Sequence, residues 1–141
     1  MHDRHTKAPG FAAGISEPMI ETLVHAFYAK VRRDELLGPI FNARIDDWDA
    51  HLEKLCRFWS SVVLMTGTYE GRPMVVHAAL PDIDGEHFAR WLALFEETAR
   101  AVCPADAAVL FVERAQRIAA SLKHGIELHR GGARLATAPV P

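Results

Sequence analysis

WDAHLEKLCRFWSSVVLMTGTYEGRPMVVHAAL, residues 48–80, is the stretch whose reading decides the fold. In its first half Trp48, Leu52, Leu55, Phe58, Trp59, Val62 and Val63 recur at helical spacing and make one broad apolar face. Asp46 or Asp47 offers an N-cap, so the spacing predicts a helix from there that stops before Gly67. The second half changes character. Gly67, Gly71, Pro73 and Pro81 break the chain between Gly67 and Asp84, leaving room for a loop and one short helix over about 73–79 with Pro73 at its opening.

The same spacing appears on both sides. Upstream, Ser16 is a good N-cap, Pro18 sits in the first turn, and Ile20, Leu23, Val24, Phe27 and Val31 form an amphipathic stripe that ends around Arg33. Leu36 to Phe41 is apolar but interrupted by Gly38 and Pro39, which predicts a tight helical turn and a buried corner rather than a strand. Downstream, Asp84 caps a helix from about Gly85 that carries Phe88, Trp91, Leu92, Phe95, Ala99 and Val102 on one side. Pro104 separates it from a last helix over about 105–129, with Val109, Val112, Ile118, Ala119, Leu122 and Ile126, ended by Gly131 and Gly132. There is no internal repeat and no hairpin signal between alternating runs, so an all-α architecture of four substantial helices follows. Residues 1–14 read as a flexible N-terminal extension, 15–130 as the folded domain, and 131–141 as a disordered tail.

A chain of 141 residues that is half apolar suffices for one well-cored domain. With 24% charged residues and a net charge of -2 it lacks the electrostatic footprint of a nucleic-acid or anionic-lipid binder. Cys56 and Cys103 fit no zinc or redox spacing, and neither a signal peptide nor a run of eighteen apolar residues occurs. A soluble cytoplasmic protein is the expectation.

Four residues place polar atoms among apolar neighbours: Tyr28, His51, His77 and Trp91. Each has a plain structural explanation. His51 borders the buried face of its helix, and Tyr28 and Trp91 can pack with the hydroxyl or indole N–H on a backbone carbonyl. His77, between Met74-Val75-Val76 and Ala78-Ala79-Leu80, has no side-chain partner nearby in sequence, and either bonds a backbone carbonyl or ligates a metal. His2, His5, His25, His87, His124 and His129 read as solvated. Asp46-Asp47 reads as a cap, and Glu96-Glu97 as a solvated face. No HExxH, CxxC, phosphate loop or nucleophile elbow is present, so a metal here would have to bring most of its ligands with it. A porphyrin does that, needing one protein imidazole and an apolar cavity.

The segments AFYAKVRRDELLGPIFN (26–42), 48–80 and HFARWLALFEET (87–98) together resemble the truncated haemoglobins, specifically their third group. The paired glycines usual in the first two groups are missing here, as they are in the third. The resemblance implies a two-over-two globin sandwich holding haem b, iron protoporphyrin IX, without a covalent link. It implies His77 as the proximal iron ligand, Tyr28, His51 and Trp91 on the distal side, Phe41 against the haem plane, and Leu55 and Phe58 on the pocket wall. The function it implies is binding of dioxygen, nitric oxide or carbon monoxide. Nitric oxide dioxygenase or peroxidase-like turnover are the enzymatic extensions, each needing an external electron donor, and peroxide is the substrate of the second. Donors from Tyr28 and Trp91 would slow dioxygen release, and His51 would gate the pocket or hydrogen-bond through water. The reading of another class is a cofactor-free helical interaction module, in which the four polar-tipped residues are core.

Overall fold

Each of the first three long helices begins at a side chain that meets its otherwise unpaired N–H groups. Ser16 Oγ accepts from Met19 N (3.4 Å), Asp47 Oδ1 from Ala50 N (3.1 Å), and Asp84 Oδ1 from Glu86 N (2.9 Å). The computed structural model describes residues 9–65 and 84–137, with side chains up to residue 125. Within them lie α1 (Pro9–Ala12), α2 (Glu17–Arg33), α3 (Gly38–Arg44), α4 (Trp48–Leu64), α5 (Gly85–Val102) and α6 (Ala105–Thr137). Among the described residues there is no strand.

Four rings, one from each long helix, mark the centre. Phe27 of α2 stands edge-on to Phe95 of α5 at 5.0 Å, while Trp59 of α4 stacks on Phe95 at 5.2 Å and meets Phe111 of α6 at 5.7 Å. Offset and edge-on contacts of this kind add to the burial of the rings themselves. Around them Ile20, Leu23, Val24, Val31, Val63 and Ala99 are fully buried.

Side-chain pairs give the helix directions. Glu17 accepts from Ser60 while Tyr28 meets His51, so α4 runs antiparallel to α2. Asp34 pairs with Arg90 and Lys30 with Glu97, so α5 is antiparallel to α2 as well. Helix α2 packs on both α4 and α5, and α5 packs most extensively on α6. One pair, α2 and α4, therefore lies on the other, α5 and α6, in a two-over-two helical sandwich.

Several local readings need correction. The last helix does not stop at Gly131 but continues to Thr137. A glycine inside a helix costs about 1 kcal/mol against alanine yet keeps its N–H, so two glycines weaken a helix without breaking it. Part of the presumed loose N-terminus is ordered: α1 packs on α4, Ile15 is buried, and a side chain at Gly10 would strike the Val63 carbonyl. Val109 belongs to no core, being 67% exposed, and Val102 is also exposed. The buried stripe of α6 is Ala107, Ala108, Phe111, Ala115, Ala119 and Leu122, because small residues let α6 approach its neighbours around the single ring of Phe111. The helix predicted at about 73–79 lies outside the described residues.

Candidate functional site

The residues singled out on α2, α4 and α5 converge. Tyr28 continues the buried stripe of α2 and is only 3% exposed. Burial pushes the Tyr28 phenol up to about 12, and the Trp91 side chain pulls the other way. Tyr28 is thus neutral at physiological pH and keeps its own hydroxyl hydrogen as a donor.

The His51 ring stands perpendicular to Tyr28 with centroids 6.4 Å apart, and perpendicular to Trp48 at 5.8 Å. On its other side His51 borders an outer groove with Arg44, Asp47 and Lys54 that holds about 480 Å³ of empty space. It therefore lies between Tyr28 and solvent. Leu55 and Phe58, one and two turns further along α4 on the same face, are half-buried against the core.

Phe41 of α3 is buried with its ring 6.3 Å from that of Tyr28. It also lines a cleft with Leu37, His87, Phe88, Trp91, Ala119 and Leu122 that contains about 390 Å³ of empty space. Phe41 and Trp91 join the cleft to the Tyr28 end. The approach of α2 to α3 here depends on Gly38, where a Cβ would come within 2.8 Å of the Arg32 carbonyl oxygen.

Reading the sequence missed part of this wall. Leu37, Phe88, Ala119 and Leu122 were visible only as apolar face residues, and His87 was assigned to solvent. Its side chain is 12% exposed, lines the cleft and closes the capping box of α5, Nδ1 accepting from the Asp84 N–H at 3.2 Å. The three-residue spacing of Asp84 and His87 was the available signal.

A second unnoticed feature is the ion pair between Asp34 and Arg90. Burial raises the Asp34 carboxyl, but the Arg90 hydrogen bond, the Leu37 and Leu36 N–H groups and the Arg90 charge outweigh it, so the group lies below the usual carboxylate range. His77 lies outside the described residues. Among the described residues no cluster of three or more His, Cys, Asp or Glu side chains could hold a metal ion.

A wider groove between α5 and α6, lined by Glu96, Arg100, Cys103, Val109, Val112 and Glu113, has a different character. Its charged groups are paired with one another or with Arg117, and it lacks the convergent polar tips of the first cleft.

No protein-family model matches the chain. It is 36% identical over 121 residues to the group 3 truncated haemoglobin of Campylobacter jejuni, a match covering 83% of this chain and 95% of that protein. Its structure resembles the crystal structure of the group III truncated haemoglobin from Campylobacter jejuni with a TM-score of 0.76 at 37% identity, covering 79% of this chain and 91% of that one. It also resembles the group II truncated haemoglobin from Bacillus anthracis, with a TM-score of 0.66 at 25% identity over 84% of this chain and 90% of that one. Sequence and fold agree along most of the domain, and the chain belongs to the group III truncated haemoglobin family.

Proposed function

We propose that this protein is a haem globin that binds dioxygen and other diatomic ligands in the cleft beneath Tyr28. The observation that carries the reading is an apolar cleft, walled by Leu37, Phe41, Phe88, Trp91 and Leu122, whose Phe41 ring lies 6.3 Å from that of the buried Tyr28. Those residues fit haem b: apolar walls suit the flat macrocycle, and a hydroxyl donor stands at one end. His77 is the residue assigned to the iron, Phe41 the one against the ring plane, and Leu55 and Phe58 complete the wall. When bound, haem supplies an iron atom that coordinates a diatomic molecule and passes electron density to it.

The chain's own residues do the rest. Tyr28 presents its O–H to the negative end of a polarised ligand, a bond contributing about 1–3 kcal/mol in a dry pocket, where 1.4 kcal/mol is tenfold in release rate. Trp91, which lines the cleft, offers its indole N–H as a second donor. His51, between Tyr28 and the outer groove, opens or closes the path for ligand and water. Carbon monoxide carries less charge on its outer atom than dioxygen and gains less from Tyr28.

Nitric oxide oxidation is the turnover that suits a site that retains dioxygen; peroxide cleavage would need His51 as acid and base. Both need electrons from an external donor. Cys56 and Cys103 are free thiols, in keeping with a reducing compartment such as the cytoplasm. No helix among the described residues is long and apolar enough to cross a membrane.

The test is the visible spectrum of the purified protein. An intense band near 400 nm that is lost in His77→Ala and shifts on adding dioxygen or carbon monoxide to the reduced protein supports the reading, on the order expected for imidazole-ligated haem. A folded protein that stays colourless and rejects added haem overturns it in favour of a helical interaction module.

A further inference from the structure

We propose that His87 is a binding residue of the cleft, and that its Nε2–H takes a carboxylate at the edge of the group held there. The assignment rests on the haem reading above, under which that carboxylate is a propionate of iron protoporphyrin IX.

The wall around His87 is apolar. Leu37, Phe41, Phe88, Ala119 and Leu122 line the cleft without a polar side-chain atom, and His87 stands among them with 12% of its side chain exposed. Its ring is held from one side. Nδ1 accepts from the Asp84 N–H at 3.2 Å and lies 2.9 Å from Asp84 Oδ1, while no hydrogen bond among the described residues uses Nε2. Every buried side-chain nitrogen or oxygen among the described residues has a partner, so Nε2 is an accessible atom. It lies across the ring from Asp84.

The contacts at Nδ1 also place a proton on Nε2. A neutral ring that accepts at Nδ1 carries its hydrogen on Nε2, and an imidazolium that donates from Nδ1 to Asp84 Oδ1 carries one there as well. The remaining tautomer leaves the Asp84 N–H without its acceptor in the α5 capping box. Nε2 is a donor in both of the forms that pair Asp84.

A carboxylate suits this donor better than a neutral oxygen, because a charged acceptor strengthens the bond. Lys123 follows Leu122 on the opposite wall, and its Nζ comes within 3.7 Å of where a Cβ on Gly85 would stand, so a cation lies at the same end. Asp84, Gly85 and Glu86 are exposed, which opens that end to water. An anionic edge group keeps much of its hydration there, and the apolar macrocycle fills the rest.

The experiment loads the full-length protein with iron protoporphyrin IX or with its dimethyl ester, which keeps the macrocycle and lacks the negative charges. Loss of each to an excess of an acceptor globin is followed by visible absorbance in the parent, His87→Leu, His87→Glu and His87→Gln. Glutamate and glutamine both complete a capping box at this position, but only glutamine keeps an N–H. His87→Leu and His87→Glu are expected to shed haem about tenfold faster than the parent and the ester at the parent's rate, with His87→Gln within about threefold of the parent for both. A loss of packing alone would speed both porphyrins together.

The assignment is overturned if the histidine variants shed haem and ester alike, or if His87→Leu holds haem as the parent does. A parent that takes up neither porphyrin overturns the haem reading itself, and this assignment with it.

Discussion

The ring of Tyr28 on α2 lies 6.3 Å from that of Phe41 on α3, and Phe41 lines the same cleft as Trp91 of α5. Tyr28 and Trp91, the two side chains read as donors, therefore belong to neighbouring parts of one site.

Two donors predict separate contributions. Tyr28→Phe is expected to speed dioxygen release about tenfold by removing one donor, and Trp91→Phe to speed it less. The double variant should release dioxygen faster than either single one. Ligand-replacement stopped-flow on the three variants measures this, and a double variant no faster than Tyr28→Phe would mean that Trp91 acts only through the tyrosine.

Tyr28 should resist alkali. Its phenol is raised from 10.0 to about 12, so phenolate ultraviolet absorbance assigned to it by difference from Tyr28→Phe appears only as pH nears that value. Between these values the folded state binds a proton that the unfolded state has lost. The contribution to stability is complete below pH 10 and vanishes as pH rises through about 12. Tyr28→Phe should flatten the alkaline limb of a denaturation profile.

Asp34 governs the acid side with the opposite sign. Its folded carboxyl titrates below the ordinary 3.8, so its contribution is present above that pH and is lost as pH falls through the lower folded value. Asp34→Asn should cost about 1–2 kcal/mol at neutral pH from weakened hydrogen bonds, and should reduce the steepness of acid unfolding. Urea melts at pH 7 and at pH 3 read both effects.

Trp59→Ala removes the ring that joins Phe95 to Phe111, with contacts at 5.2 and 5.7 Å. A loss of about 3–5 kcal/mol is expected from transfer and cavity costs. Chemical denaturation followed by circular dichroism measures it, and a loss under 1 kcal/mol would mean the core collapses around the gap.

Gly38→Ala tests the corner. A methyl group 2.8 Å from the Arg32 carbonyl oxygen must push α3 from α2, at a cost of about 1–3 kcal/mol. Leu37 and Phe41 move with α3, so the variant should also loosen the cleft and lower its affinity for haem in a titration.

The helices themselves were readable. Ser16, Asp47 and Asp84 are caps, and the apolar repeats after each of them are long enough to make the period plain. Tyr28, His51 and Trp91 were marked because polar atoms among apolar neighbours stand out in a one-dimensional pattern, and the structure brings the three together. Val109 and Phe111 show where pattern fails. Both are apolar and two positions apart, and only the approach of α6 to its neighbours decides which one is covered.

What the chain's order of residues determined alone is the four long helices, their starts, and the polar groups set among their apolar faces, because capping and periodicity act within about twenty residues. What tertiary structure decided is that Asp34 meets Arg90 across 56 positions, that His87 faces a cleft, and that Trp91 shares that cleft with Phe41. Those relations depend on how far one helix slides along another, and packed side chains set that distance only once all four helices are in place.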